Sequence, residues 1–241
     1  NGMNFFAKPA VAWSLNEKRE IDVFDVPVIV TNQEIKDGQE FVRNLNDGKD
    51  HIVTDLAKNS EKSCVIFAPK FYNEAYFQFQ RWLEKGGFNV IPILIPSLTD
   101  EQLEDAAIYT GATFVNTTKG HTVKELRLSE DVGRAKRVHL KGDKVSIYGG
   151  EGKKEIIEAR LQTLIKQLEL EEDDLFKKKL ERRISAISKG VGKIRVGSET
   201  DIRTGYLYRK IEDGVNATIA ALEDGIISGG GSCLKEIADE M

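Results

Sequence analysis

Three short apolar runs, residues 21–30, 63–68 and 89–95, are separated by stretches with helical spacing, and this alternation constrains the chain more than any other feature. The first, rich in Val, Ile and Phe, reads as a strand, and the second and third, as short apolar runs, read as buried strands. Pro27 interrupts the first run and predicts an edge or a bulge there, because proline donates no ladder hydrogen bond. Pro69 bounds the second run. Between the runs, residues 34–45 and 49–58 read as short helices, the latter carrying Ile52, Val53 and Leu56. Thr99 and Gln102 have capping-box spacing and predict a helix running to Tyr109. Strand and helix alternate in this way from residue 23 to residue 115, which predicts an α/β fold with a sheet flanked by helices.

The helix expected over residues 72–85 is the most aromatic part of the chain. Ala75, Tyr76, Phe77, Phe79, Trp82 and Leu83 cover nearly every side of it, more than one buried face requires. Two readings stand: an exposed interaction surface, or a helix sandwiched between a sheet and another helix. Residues 1–16 hold Phe5, Phe6, Pro9, Val11, Trp13 and Leu15 without helical period, so an extended segment is expected, with Trp13 either covering the core or contributing to binding.

Further on, residues 137–141 and 144–148 are two strands joined through Gly142 and Asp143, a hairpin spacing. Ile156, Ile157, Leu161, Leu164, Ile165 and Leu168 form one helical stripe, and Leu175, Phe176, Leu180, Ile184 and Ile187 a second. This predicts a helical hairpin whose charge-rich faces look outward to solvent. Residues 193–197 read as a strand, and a helix follows from about Arg203. On that helix Ile211, Val215, Ile219 and Leu222 recur at steps of four, four and three, with Glu212, Asp213, Asn216 and Glu223 off the stripe. Gly225 should end it with a left-handed cap. Gly229, Gly230 and Gly231 then form either a turn or, if a helix starts there, a place for backbone N–H groups to meet a phosphate.

Charge and composition exclude several classes. A net charge of −4 over 241 residues argues against nucleic acid as a main partner. Cys64 and Cys233 are far apart and lack metal or redox spacing, which predicts a reducing, cytoplasmic setting without disulfides. No stretch approaches the roughly 20 apolar residues of a membrane span, so no membrane partner is expected. His51, His121 and His139 have no ligand-like spacing, so no metal site is expected. No Gly-x-x-x-x-Gly-Lys loop is present. The first residue is Asn, which suggests a piece of something longer.

Several segments, in order, resemble the GroEL-type (group I) chaperonins. Gly2-Met3-Asn4-Phe5 looks like the family's entry into its apical domain. Asp131-Val132-Gly133-Arg134-Ala135-Lys136-Arg137-Val138 resembles its Leu-Gly-x-Ala-Lys-Arg-Val segment, and Lys189-Gly190-Val191-Gly192-Lys193-Ile194-Arg195-Val196-Gly197 its return segment. The stretch from Lys210 to Cys233 completes the series.

The resemblance implies an apical, substrate-binding domain over residues 1–190, part of the intermediate domain over 191–225 as a small α+β remnant, and the start of the equatorial domain over 226–241. Gly2 and Gly190 then fall at the hinge. Asp213 matches the family acid that helps activate the attacking water in ATP hydrolysis, and Gly229, Gly230 and Gly231 match the nucleotide site. ATP and Mg²⁺ are thus implied for an intact parent protein. For the chain alone, which lacks the phosphate loop, neither binding nor hydrolysis of ATP is expected.

Polypeptide-binding positions carried over from the family are Trp13, Ile52, Val53, Tyr76, Phe79 and Gln80, while Arg81, His51 and Thr54 bring unusual polarity. The partners implied are non-native polypeptides, a co-chaperonin and a homo-oligomeric ring. Fewer aliphatic contacts imply weaker general capture, hence a narrower client range or an altered co-chaperonin loop. The alternative is an α/β interaction module, chaperonin-derived, that binds a dedicated protein partner without ATPase activity. A stand-alone enzyme using Asp213 lacks a second catalytic group.

Overall fold

The computed structural model describes residues 2–41, 56, 61–188, 194, 196–226, 229 and 231–240. The chain divides into two compact units, Asn1–Val191 and Gly192–Met241. In the first, the order is β1 (Gly2–Phe6), β2 (Lys8–Pro9), β3 (Glu20–Thr31), β4 (Ser63–Ala68), α1 (Asn73–Gly86), β5 (Asn89–Leu94), α2 (Asp100–Thr110), β6 (Phe114–Val115), α3 (Leu128–Asp131), β7 (Gly133–Lys141), β8 (Lys144–Gly150), α4 (Lys154–Leu170) and α5 (Asp174–Ser188).

The eight strands among the described residues share one sheet, ordered β1-β8-β7-β3-β4-β5-β2, with β6 also against β3. β3, β4 and β5 are parallel, while β7, β8 and β1 extend the sheet antiparallel. Strands covered on both faces need apolar residues at successive positions, each face taking every second one. Val28, Val30, Val65, Phe67, Ile91 and Ile93 accordingly share one core with Leu103, Leu164 and Ile187 from α2, α4 and α5. Their neighbours Ile29, Cys64, Ile66 and Val90 share the other with Ala75 and Phe79 of α1 and with Phe41 and Leu56. The expected sheet flanked by helices is therefore what forms.

Local signals hold at several points. Thr99 and Gln102 exchange the two capping-box bonds, Gln102 N donating to Thr99 Oγ1 at 3.4 Å and Thr99 N to Gln102 Oε1 at 3.0 Å. Gly142, at φ +58°, turns the β7–β8 hairpin. The α4–α5 helical hairpin forms as the two stripes require, Leu161, Leu164, Leu180, Ile184 and Ile187 reaching the core.

Three expectations are corrected. Pro27 sits in central β3, opposite Arg134 of β7, and is accommodated because the parallel ladder to β4 begins one residue later, at Val28. Residues 34–41 do not begin a helix: Ile35 bridges to Phe71, and a 3-10 turn occupies Gly38–Phe41. The Glu40 carboxylate accepts from the N–H groups of Lys36 and Asp37 and so closes that turn. Residues 42–55, and with them most of the expected second helix, lie outside the described residues. Not all charges of the helical hairpin face solvent either. Arg160 Nε and Arg183 Nε donate to the two oxygens of Asp105, each at 2.7 Å, and Asp105 is 1% exposed. Burial pulls the Arg160 pKa down, but Asp105 and Glu104 outweigh it and the net shift is upward. Arg183 Nη1 also donates to Glu101 Oε2 at 3.0 Å.

In the second unit, α6 (Asp201–Asp224) and α7 (Ser232–Glu240) are the helices. Thr200 caps α6, its hydroxyl accepting from Arg203 N at 3.3 Å, so the helix begins slightly before the expected Arg203. Gly225 ends it at φ +83° and ψ −169°, a conformation outside the left-handed helical well and open in practice only to glycine. Of the strand expected over 193–197, the described residues 194, 196 and 197 show none. No helix among the described residues is long and apolar enough to cross a membrane.

Both cysteines are free. Burial, reinforced by Glu61, pushes the Cys64 thiol up to about 12, whereas Cys233 is half-buried. At about pH 8 only on the order of one Cys64 in ten thousand is thiolate, the reactive form. A disulfide reagent applied without denaturant is expected to modify Cys233 quickly and Cys64 at least about 100-fold more slowly; comparable rates would show that β4 opens readily.

Candidate functional site

Helix α1 carries the candidate site, and its inward face explains its outward one. Ala75 and Phe79 are buried, and the Phe79 ring lies 6.2 Å from Phe41, 6.2 Å from Phe71 and 5.7 Å from Trp82. Gly38 lets the 3-10 turn approach this helix, since a Cβ there would stand 2.7 Å from the Cβ of Gln78. Tyr76 is half-buried at the rim, its ring 6.0 Å from Phe71, and burial pushes its phenol pKa up. Phe77 points away and is 69% exposed. Gln80 and Arg81 are exposed too, and Gln80 Nε2 donates to Glu84 Oε1 at 3.0 Å.

At the start of the helix, the Tyr72 hydroxyl donates to Glu34 Oε2 at 2.7 Å and accepts from Lys70 Nζ at 3.0 Å. Donation from Lys70 to the Tyr72 oxygen is the main reason the Lys70 pKa is raised. The arrangement ties the helix start to the segment following β3. The two readings of this helix are thus divided between its faces: one is packed on the sheet, and the other offers an aromatic ridge beside polar groups.

Phe79 is corrected as a binding residue, because its ring fills the core beneath the helix. Tyr76 and Gln80 remain at the surface. Phe77 was not among the expected binding positions, yet a signal for it exists. Ala75, Phe79 and Trp82 recur at steps of four and three and mark the inward face, which places Phe77 about 200° around the helix from Ala75. Trp13 lies in a 3-10 turn, Ala12–Ser14, with its side chain outside the described residues. Ile52 and Val53, with His51 and Thr54, lie outside them as well. Leu56 of the same segment is buried in the cluster around Phe79. Gly2 opens β1 opposite Tyr148, and Gly190 is outside the described residues.

In the second unit Asp213 is exposed on α6. Gly229 and Gly231 precede α7, Gly231 at φ +82°, and the Ser232 hydroxyl donates to the Gly229 carbonyl. Gly230 is outside the described residues. Among the described residues no group of acids, histidines or cysteines could hold a metal ion.

No protein-family model matches the chain. Chaperonin GroEL 1 of Prochlorococcus marinus strain MIT 9312 is 30% identical over 230 residues, covering 94% of this chain and 38% of the relative. The chaperonin of the same name from strain MIT 9515 matches to the same extent. Among solved structures, the chaperonin gp146 from bacteriophage EL 2 (Pseudomonas aeruginosa), crystallised in the presence of ATP-BeFx, superposes with a TM-score of 0.67 at 20% identity, covering 95% of this chain and 44% of that one. The chain is therefore GroEL-like along nearly its whole length and spans about two-fifths of the relatives it matches.

Proposed function

We propose that this GroEL-like chain is the client-handling portion of a cytoplasmic, ring-forming chaperonin and assists folding by holding non-native polypeptides on the outward face of α1. The observation that carries this reading is Phe77, 69% exposed on a helix whose other side is locked into the core, with Tyr76 at its flank. An exposed aromatic on a rigid helix offers apolar area to any chain that displays its own, without reorganising the helix. Gln80, Arg81 and Glu84 surround that area with polar groups, which limits how much apolar surface a client can cover. The client range is accordingly narrow, and a co-chaperonin would meet the same ridge. In a complete protein Asp213 would supply the carboxylate that orients a water, and the glycines at 229–231 a close approach to nucleotide, with ATP and Mg²⁺ held mainly by residues outside this chain.

The test is suppression of aggregation by the 241-residue chain. Phe77→Ser should weaken capture of a non-native client about tenfold, in line with roughly 1.5 kcal/mol for losing one large apolar contact. Unchanged capture by Phe77→Ser and by Tyr76→Ser together would remove α1 as the site. The same exposed polar residues favour a second reading, a module for one dedicated partner. Saturable binding of a single protein from among many clients, with no general suppression of aggregation, would establish that reading instead.

A further inference from the structure

Helix α1 rests on a brace, the segment that follows β3. Its first part grips the start of the helix: Ile35 N donates to the Lys70 carbonyl and Tyr72 N to the Ile35 carbonyl, each at 2.9 Å, while the Tyr72 hydroxyl reaches Glu34. Its second part supports the middle of the helix, with Gly38 against Gln78 and the Phe41 ring 6.2 Å from that of Phe79. Phe79 and Phe77 are fixed to the same helix, so the contact that holds the first also sets the direction of the second.

Two side chains keep the brace in shape. Glu40 Oε1 accepts from Lys36 N at 3.0 Å and from Asp37 N at 3.2 Å, and Glu40 Oε2 accepts from Gln33 Nε2. Gln33 Oε1 in turn accepts from Val123 N at 3.0 Å, and Gln33 N donates to Thr31 Oγ1 at 2.9 Å. Thr31 is buried at the end of β3, and its hydroxyl donates to the Val115 carbonyl of β6 at 3.1 Å. The brace is therefore anchored to the sheet at Thr31 and, through one amide side chain, to the chain beyond β6.

This relay has a direction. Gln33 offers its oxygen to Val123 and its nitrogen to Glu40, and an ionised carboxylate offers only oxygens. An amide at position 40 that kept its oxygen for Lys36 and Asp37 would turn its nitrogen on that of Gln33. A carboxylate at position 33 would face that of Glu40. Exchanging the two side chains restores every pairing, because the carboxylate at 33 then accepts from Val123 N and from the amide at 40.

We propose that Gln33 and Glu40 are the positioning pair of the client face: by closing the brace they hold α1 in the orientation that turns Phe79 inward and Phe77 to solvent. The functional consequence rests on the reading of α1 as the client site, whereas the geometry is testable without any client.

The experiment compares the whole chain with Glu40→Gln, Gln33→Glu and the double variant, reading hydrogen exchange of the α1 amides and capture of dye-labelled, reduced and alkylated lactalbumin. Each single variant should speed exchange of the Phe77 to Gln80 amides and weaken capture, both about tenfold, the scale of one mispaired buried polar group. The double variant should return both to within about twofold of wild type, a reciprocity that independent losses of stability do not produce. Glu40→Asp keeps the charge but stops one methylene short of Gln33, and should give a smaller change in the same direction. Single variants whose α1 exchange equals wild type, or a double variant no better than the singles, overturn the proposal. Phe77→Ser should weaken capture and leave α1 exchange unchanged. If its capture is normal, the client reading falls while the exchange series alone decides the brace; if its capture is weak and that of Glu40→Gln is normal, the brace does not position the site.

Discussion

Asp105→Ala is expected to destabilise the first unit by about 3–5 kcal/mol, the loss typical when one partner of a buried ion pair is removed. Asp105 is 1% exposed and accepts from Arg160 Nε at 2.7 Å, Arg183 Nε at 2.7 Å and Arg183 Nη2 at 3.2 Å. Its removal leaves two guanidinium groups facing each other beneath the helical hairpin. Glu104, at 2.8 Å from Arg160, and Glu101, at 3.0 Å from Arg183, compensate only from the rim. In a domain of this size the melting temperature should fall by roughly 6 to 20 °C. Asp105→Asn should lie between wild type and Asp105→Ala, because one oxygen still accepts. Replacing Asp105, Arg160 and Arg183 together by apolar residues should recover most of the loss, since a packed apolar core often equals a buried ion network. A melting temperature of Asp105→Ala within about 2 °C of wild type would falsify the clamp, given the scaling of stability with melting temperature.

Gly152→Ala should be nearly as damaging, at about 3 kcal/mol, the upper end for overpacking. A Cβ at Gly152 would stand 2.0 Å from the Ile108 carbonyl oxygen, and one at Gly150 2.2 Å from that of Tyr109. Both obstacles are backbone at the end of α2, which cannot move aside as a flexible side chain can. The close crossing also carries a bond, Gly152 N donating to Tyr109 O at 3.1 Å. Gly86→Ala is the control: it ends α1 with nothing within 4 Å of the added methyl, and should be neutral or slightly stabilising. Chemical denaturation of the three proteins gives the comparison. Equal midpoints for Gly152→Ala and Gly86→Ala would show that the segment after β8 does not meet the end of α2.

The candidate site was only partly legible in the sequence. The aromatics of α1 announce a helix with more apolar surface than one face buries, but not which ring is left outside. Phe79 and Phe77 are alike in composition and differ only in angle around the axis. What settles the inward side is Phe41 and Phe71 packing on Phe79, contacts made by segments distant in sequence. Arg160 and Arg183 likewise read as solvated helix charges, because Asp105 lies 55 and 78 residues away from them.

Local patterns in the sequence were sufficient for strands β3, β4 and β5, helices α1 and α2, the Thr99–Gln102 capping box, the Gly142 turn and the α4–α5 hairpin, since each depends on residues within a few positions of one another. The likeness to GroEL-type chaperonins was also readable there, being a matter of ordered segments. Tertiary structure alone decided that Pro27 is tolerated in a central strand, that Phe79 is core while Phe77 is surface, and that Asp105 gathers two arginines. Those outcomes depend on which distant groups arrive together and exclude water, and short-range periodicity carries no record of that.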